Sequence, residues 1–269
     1  LTMLVTLALA FTLYTVGCTR TDPTAPVHRR ATFYDAIFLL YCALQTSWDY
    51  YASHMFFVHR LQHFILHDVG PALLAASAPA AALSQGLPRW LRPRVTQALA
   101  RLHPVTRVIF DPWTATAVYI ASLIIWIWPS WHFDVMLSNR LYRLMNWSVV
   151  LGDLPFWWLV LDPRPYPLAR VKGGYRLLML FIVMLPMMLA GAILGLDHHD
   201  LYPVYSVCGR FAAVSPLTDQ HLGGLIIWIP SSIFIAIIAM VVFRRILHQE
   251  HAARAAPARP AAQTGSAAL

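Results

Sequence analysis

The sequence predicts an all-α fold, a polytopic membrane helix bundle of about seven transmembrane helices, with the N-terminus outside and the C-terminus cytoplasmic. Three observations predict it. Of the 269 residues, 58% are hydrophobic and only 12% charged, where soluble domains carry about a quarter charged residues. Apolar stretches close to the roughly 20 residues that cross about 30 Å of hydrocarbon recur along the chain. The basic residues also alternate by loop, so that sixteen of the twenty Lys and Arg share the side that the positive-inside rule makes cytoplasmic. Arg60, Arg140, Arg143 and Arg210 are left for the other. The net charge of +8 is thus a topological signal, and no nucleic-acid partner is expected.

The elements follow in order. Leu1–Gly17 is apolar without a basic flank before it and is taken as the first span, with a remnant signal segment as the alternative. Phe33–Trp48 is the second span and Phe56–Leu83 the third, which carries "HMFFVHRLQHFILHD" at its start. The loop Ser84–Asp111 includes "PRWLRPRVTQALARLH", which reads as a short basic amphipathic helix lying on anionic headgroups. Pro112–Pro129 is the fourth span, and "IWIWPSWHF" at its outer end reads as an interfacial aromatic belt. Leu141–Leu161, with Asp153 near its middle, is the fifth; Tyr175–Leu196, with Gly191 and Gly195 in a GxxxG spacing that permits close packing, is the sixth. Leu222–Phe243 is the last span. Residues 1–247 form one membrane domain, and 248–269, Ala/Pro-rich and without apolar periodicity, a disordered cytoplasmic tail. Cys18, Cys42 and Cys208 form no CxxC and are expected to be isolated thiols.

The orientation sorts the histidines. His54, His59, His63, His67, His132, His198, His199 and His221 fall at or below the outer face, joined by Asp49, Asp134, Asp197, Asp200 and Asp219. On the third span Met55, His59, His63 and His67 step by four residues, so they face nearly one way and drift by about 40° per step. His67 then lies about 12 Å below His59, and ionisable groups at such depth face the bundle interior or a wet cavity. An i, i+4 imidazole pair has Cβ atoms about 5–6 Å apart, close enough for both rings to turn onto one metal ion. Imidazole suits copper, zinc and iron, and a thioether favours Cu(I). The predicted metal ligands are therefore His59, His63, His221 and Met55, with Asp219 orienting an imidazole from behind and His132 as an extra ligand. Gln62, His67, Asp68 and Asp153 are expected to form a polar track beneath them. The plainer alternative is that these histidines and Gln62 only hydrogen-bond one another between helices.

Two runs carry a family resemblance. His59-Arg60-Leu61-Gln62-His63 is followed by Pro71-Ala72-Leu73-Leu74 and Pro79; Asp219-Gln220-His221-Leu222-Gly223-Gly224 precedes Trp228. In these the chain resembles the CtaG family of cytochrome c oxidase assembly factors, multi-span proteins linked to copper delivery, and the resemblance covers most of its length. It differs in Arg60, where the family usually has methionine. Tyr142 and Asn146 stand near the start of the fifth span, where the family has histidines, and His67-Asp68 stands where it is apolar.

The resemblance implies a non-enzymatic copper-binding factor, a metallochaperone of the bacterial inner (plasma) membrane. Its metal site faces the periplasm, and its partners are respiratory oxidase subunits or a periplasmic copper carrier. Two alternatives use the same residue types: a haem-binding redox protein or oxidase subunit with bis-histidine ligation between spans, and a proton or metal-ion transporter working through His67, Asp68 and Asp153. The chain holds no hydrolase triad, phosphate loop or HExxH pattern, so ordinary soluble-enzyme chemistry is not expected.

Overall fold

A computed structural model describes residues 2–20 and 26–255, and all regular structure among them is helical. The elements are α1 (Thr2–Arg20), α2 (Val27–Gln45), α3 (Ser47–Ala52), α4 (Phe56–Phe64), a π-helical turn (Ile65–Val69), α5 (Gly70–Ser77), α6 (Ala80–Gly86), α7 (Arg92–Arg101), α8 (His103–Ile109), α9 (Pro112–Ile127), α10 (Pro129–Leu137), α11 (Asn139–Leu161), α12 (Gly173–Leu196), α13 (Val204–Cys208) and α14 (Pro216–Ala255).

Each predicted span falls on helical structure, the third on the run from α4 to α6, but length and composition qualify fewer than seven as membrane-crossing. Four stand alone, Thr2–Arg20, Asn139–Leu161, Gly173–Leu196 and Pro216–His251; two bent helix pairs raise the number to six. The second span falls short because Val27–Gln45 carries Arg29, Arg30 and Asp35 within its 19 residues. Phe56–Ser77 meets Ala80–Gly86 at a 73° bend. There Ala78 ends α5 in the left-handed region (φ 47°) and Pro79 follows, a pairing that stops a helix by geometry and by a missing donor. At the C-terminal end, α14 continues through His248–Ala255, so the predicted tail begins as helix. Its remainder, residues 256–269, lies outside the described residues.

The arginine-rich connections gather at one end of the bundle. Arg20 donates to the Gln85 carbonyl (3.2 Å), Arg170 to that of Phe110 (3.5 Å) and Arg245 to that of Leu161 (3.1 Å). The loop helices α7 and α8 lie in this region of the sequence and bury no residue. At the other end, called here the His54 end, the α2–α4, α9–α11 and α12–α14 connections meet. Tyr202 donates to the Ile127 carbonyl at 2.5 Å, and the Phe56 ring stacks on Tyr202 with centroids 4.0 Å apart.

Between the ends, α11 is the most enclosed span, with 56% of its apolar window buried against 17% for α1. Its Phe156 and Trp157 form the centre of the largest core cluster with Tyr119, Met179, Leu180 and Val183. The spacing of Gly191 and Gly195 is used for close packing. A Cβ added at Gly224 of α14 would lie 2.3 Å from the Gly195 backbone nitrogen, so α12 and α14 touch through their main chains.

Candidate functional site

The stretch that carries the histidines is placed by a carboxylate from the far end of the sequence. Met55 is extended (φ −141°, ψ 128°) with no capping side chain of its own, which leaves the first amides of α4 without intrahelical partners. Asp219 supplies them: its carboxylate accepts from Phe56 N at 3.0 Å and Phe57 N at 2.9 Å, and also from Arg210 Nε at 3.1 Å. Asp219 is fully buried. It therefore anchors α4 rather than orienting an imidazole as predicted.

From that anchor His59, His63 and His67 descend as a stack. The ring centroids of His59 and His63 are 4.5 Å apart and those of His63 and His67 5.4 Å. The third imidazole near the mouth comes from α10: His132 lies 5.0 Å from His59 with the rings near perpendicular (83°). Although Trp128 and Trp131 beside it are exposed as an aromatic belt requires, His132 is fully buried. Its Nδ1 meets the Trp126 carbonyl at 3.0 Å and its Nε2 the Tyr205 hydroxyl at 2.9 Å. Burial, and then the positive Arg60, push the His132 imidazole down to about 3, so it stays neutral with Nε2 as its lone-pair nitrogen.

His59 and His63 differ from it. Both are buried; neither His63 ring nitrogen has a hydrogen-bond partner, and those of His59 make no well-aligned one. The Ala52 carbonyl interacts with His59 without completing a bond of ordinary geometry. Arg60, also buried, leaves Nε and Nη2 unpartnered and rests over the Phe56 ring at 5.1 Å.

Deeper, the polar track comes together around the π-helical turn. Pro71 has no N–H for the carbonyl four residues earlier, that of His67. Trp157 Nε1 takes its place and donates to that carbonyl at 2.7 Å. π turns inside α-helices frequently mark functional sites, and here the turn spans His67 and Asp68 and buries both. His67 Nδ1 pairs with the Asp153 carboxylate, and Asp68 accepts from the Tyr119 hydroxyl at 2.5 Å. A cavity of about 20 Å³ between Arg60, His63, His67, Asp68 and Ser231 has room for one water molecule. Trp157→Phe, which orphans the His67 carbonyl, is expected to cost about 1–3 kcal/mol. An unchanged thermal unfolding midpoint would show that the π turn closes without the indole.

Beside the stack, Gln62 links α4 to its neighbours. Its Nε2 donates to the Ala43 carbonyl (2.7 Å) and to Asp49 Oδ1 (2.9 Å), while Tyr142 donates to the same Asp49 oxygen at 2.9 Å and lies 3.1 Å from Gln62 Oε1. Burial pushes the Asp49 carboxyl up, against the lowering effect of these two hydrogen bonds.

Of the predicted ligands, the geometry brings His59 and His63 together and places Met55 one turn before them, fully buried. His221 does not join. Its Nε2 hydrogen-bonds the Asp197 carbonyl at 2.8 Å at the end of α12, because two residues along α14 turn it about 200° from Asp219. Tyr205, Tyr119, Trp157 and Arg210 complete the site and carry no local signal in the sequence. Among the described residues, no group of three or more His, Cys, Asp or Glu forms a ready-made metal site. This agrees with His132 having both nitrogens engaged.

A family model described as cytochrome c oxidase caa3 assembly factor (Caa3_CtaG) matches residues 10–249. No curated protein and no solved structure matches the chain.

Proposed function

Because the chain belongs to the cytochrome c oxidase caa3 assembly factor family, we propose that it supports maturation of a respiratory oxidase by holding copper at the His59–His63 pair and passing it on. The observation that carries this reading is the pair of buried rings itself, His63 without a hydrogen-bond partner at either nitrogen and His59 with no more than a poorly aligned contact to the Ala52 backbone. A buried polar atom without a partner costs about 1–3 kcal/mol, and a bound cation removes that cost. Rings that share one metal at about 2.0–2.1 Å have centroids roughly 5 Å apart. The separations of 4.5 Å for His59–His63 and 5.0 Å for His59–His132 need only ring rotation to meet this. His132 then exchanges the Tyr205 hydroxyl for the metal, and keeps the Trp126 carbonyl as the partner that fixes its tautomer. Met55 is the remaining soft donor on the same helix, and His221 stands outside the set.

Arg60 bears on which ion is held. A fixed positive charge repels a divalent cation twice as strongly as a monovalent one at the same distance, so this site favours Cu(I) over Zn²⁺. The distribution of arginine directs the His54 end to the periplasm of a bacterial plasma membrane, where an oxidase subunit or a soluble copper carrier exchanges the ion. The role is delivery rather than catalysis. Haem is disfavoured: it needs imidazoles on opposite sides of a pocket of about 300 Å³ or more, whereas His59 and His63 stand on one helix above a cavity of about 20 Å³.

Purified protein is expected to carry copper by elemental analysis and to show no Soret band. The double variant His59→Ala/His63→Ala is expected to lose that copper while keeping its helical circular dichroism. Copper content that stays at the wild-type level in a folded double variant rules out the site.

A further inference from the structure

An open cavity of about 670 Å³ lies at the His54 end, between the start of α1, the end of α2, α3 and the start of α11. Its walls hold the thioethers of Met3 and Met136, and Asp49 and Tyr142 also line it. Those two residues, with Gln62, form a hydrogen-bonded plug in which the Tyr142 hydroxyl touches both Asp49 and Gln62. Immediately behind it stands His59, whose ring centroid is 6.0 Å from that of Tyr142. Gln62 lies on α4 between His59 and His63 in the chain. One side-chain layer thus separates a wide cavity from buried imidazoles whose ring nitrogens make no well-aligned hydrogen bond.

We propose that this cavity is the port through which Cu(I) reaches His59 and His63, with Met3 and Met136 as the first soft donors and Tyr142 as the gate. The inference rests on the copper reading above and adds the route and its gate. Thioethers suit Cu(I) and offer little to Zn²⁺ or Mg²⁺. Met3 is buried and Met136 half-buried, so neither offers its sulfur as a fully exposed surface group. From them the ion passes to the Asp49 carboxylate, and rotation of Tyr142 breaks its hydrogen bonds to Asp49 and Gln62 and opens the way to His59. The ion remains Cu(I) throughout and exchanges one ligand at a time, so no electron donor is needed. Arg143 also lines the cavity and is exposed, where it can meet an anionic carrier without closing the floor.

The test is the rate at which full-length protein in lipid nanodiscs takes up Cu(I) from a chromophoric Cu(I) chelator, read by stopped flow, together with the copper bound at equilibrium. Tyr142→Phe keeps the ring and removes the latch, and is expected to speed loading by about threefold or more. Met3→Leu/Met136→Leu keeps the volume and removes the soft donors, and is expected to slow it by about fivefold or more. In both, copper at equilibrium stays at the wild-type level, which a merely structural role would not preserve. Loading within about twofold of wild type in both variants overturns the port and leaves the copper site standing. A wild-type protein that takes up no Cu(I) overturns both.

Discussion

Asp219→Ala is expected to lower the unfolding midpoint of the embedded protein by on the order of 10 °C, the largest single effect among the polar residues. The carboxylate is fully buried and serves three donors, Phe56 N, Phe57 N and Arg210 Nε. Removing one partner of a buried ion pair costs about 3–5 kcal/mol, because the remaining charge is left without compensation. The Arg210 side chain is only 10% exposed, so water compensates it poorly. Asp219→Asn, which keeps an acceptor for one amide but no charge for Arg210, should fall between the two. The effect reaches the site because these amides begin the helix that carries His59 and His63. Midpoints equal to wild type in both variants, measured by differential scanning calorimetry in nanodiscs, would mean that α4 is held by packing alone.

Gly224→Ala is expected to destabilise the fold by about 3 kcal/mol, the upper part of the overpacking range. Its added Cβ would lie 2.3 Å from Gly195 N and 2.8 Å from Gly191 O. Both are backbone atoms, which cannot swing aside as a side chain does. The two helices must separate, and with α14 moves the carboxylate that anchors α4. Gly174→Ala is the control, since nothing lies within 4 Å of its added Cβ; alanine in a helix there should be neutral or stabilising by about 0.5–1 kcal/mol. Equal stability of the two variants would refute close main-chain contact between α12 and α14.

The histidine stripe was legible because an i, i+4 spacing is a property of one helix, and rings 4.5 and 5.4 Å apart follow from it. The pairing of Asp153 with the His67 level was legible for a related reason: a charge in mid-span needs a partner at its own depth. Other assignments did not survive: His221 turns to the Asp197 carbonyl, and Asp219 caps α4. His132 was expected as an extra ligand inside a stretch that reads as an aromatic belt. The short helix α10, entered through Trp128 and Pro129, instead turns His132 inward against Tyr205 while Trp128 and Trp131 remain exposed. The second predicted span, Phe33–Trp48, lies on α2 and the start of α3, and Arg29, Arg30 and Asp35 keep α2 below the length and composition of the four to six helices that suit a crossing.

By itself the sequence determined that the chain is helical, that its apolar segments suit a membrane, and that one helix presents imidazoles in a row. These depend on composition and on periodicities a few residues long, which survive without knowledge of any neighbour. Only the tertiary structure decided that His132 rather than His221 stands beside His59, that Asp219 anchors a helix start, and that Tyr142 and Gln62 close the space beside the stack. Those outcomes depend on how each helix is rotated about its axis against the next. Main-chain contact between α12 and α14 and the bonds of the Asp219 carboxylate to Phe56 N and Phe57 N set that rotation, and both join residues well separated in the chain.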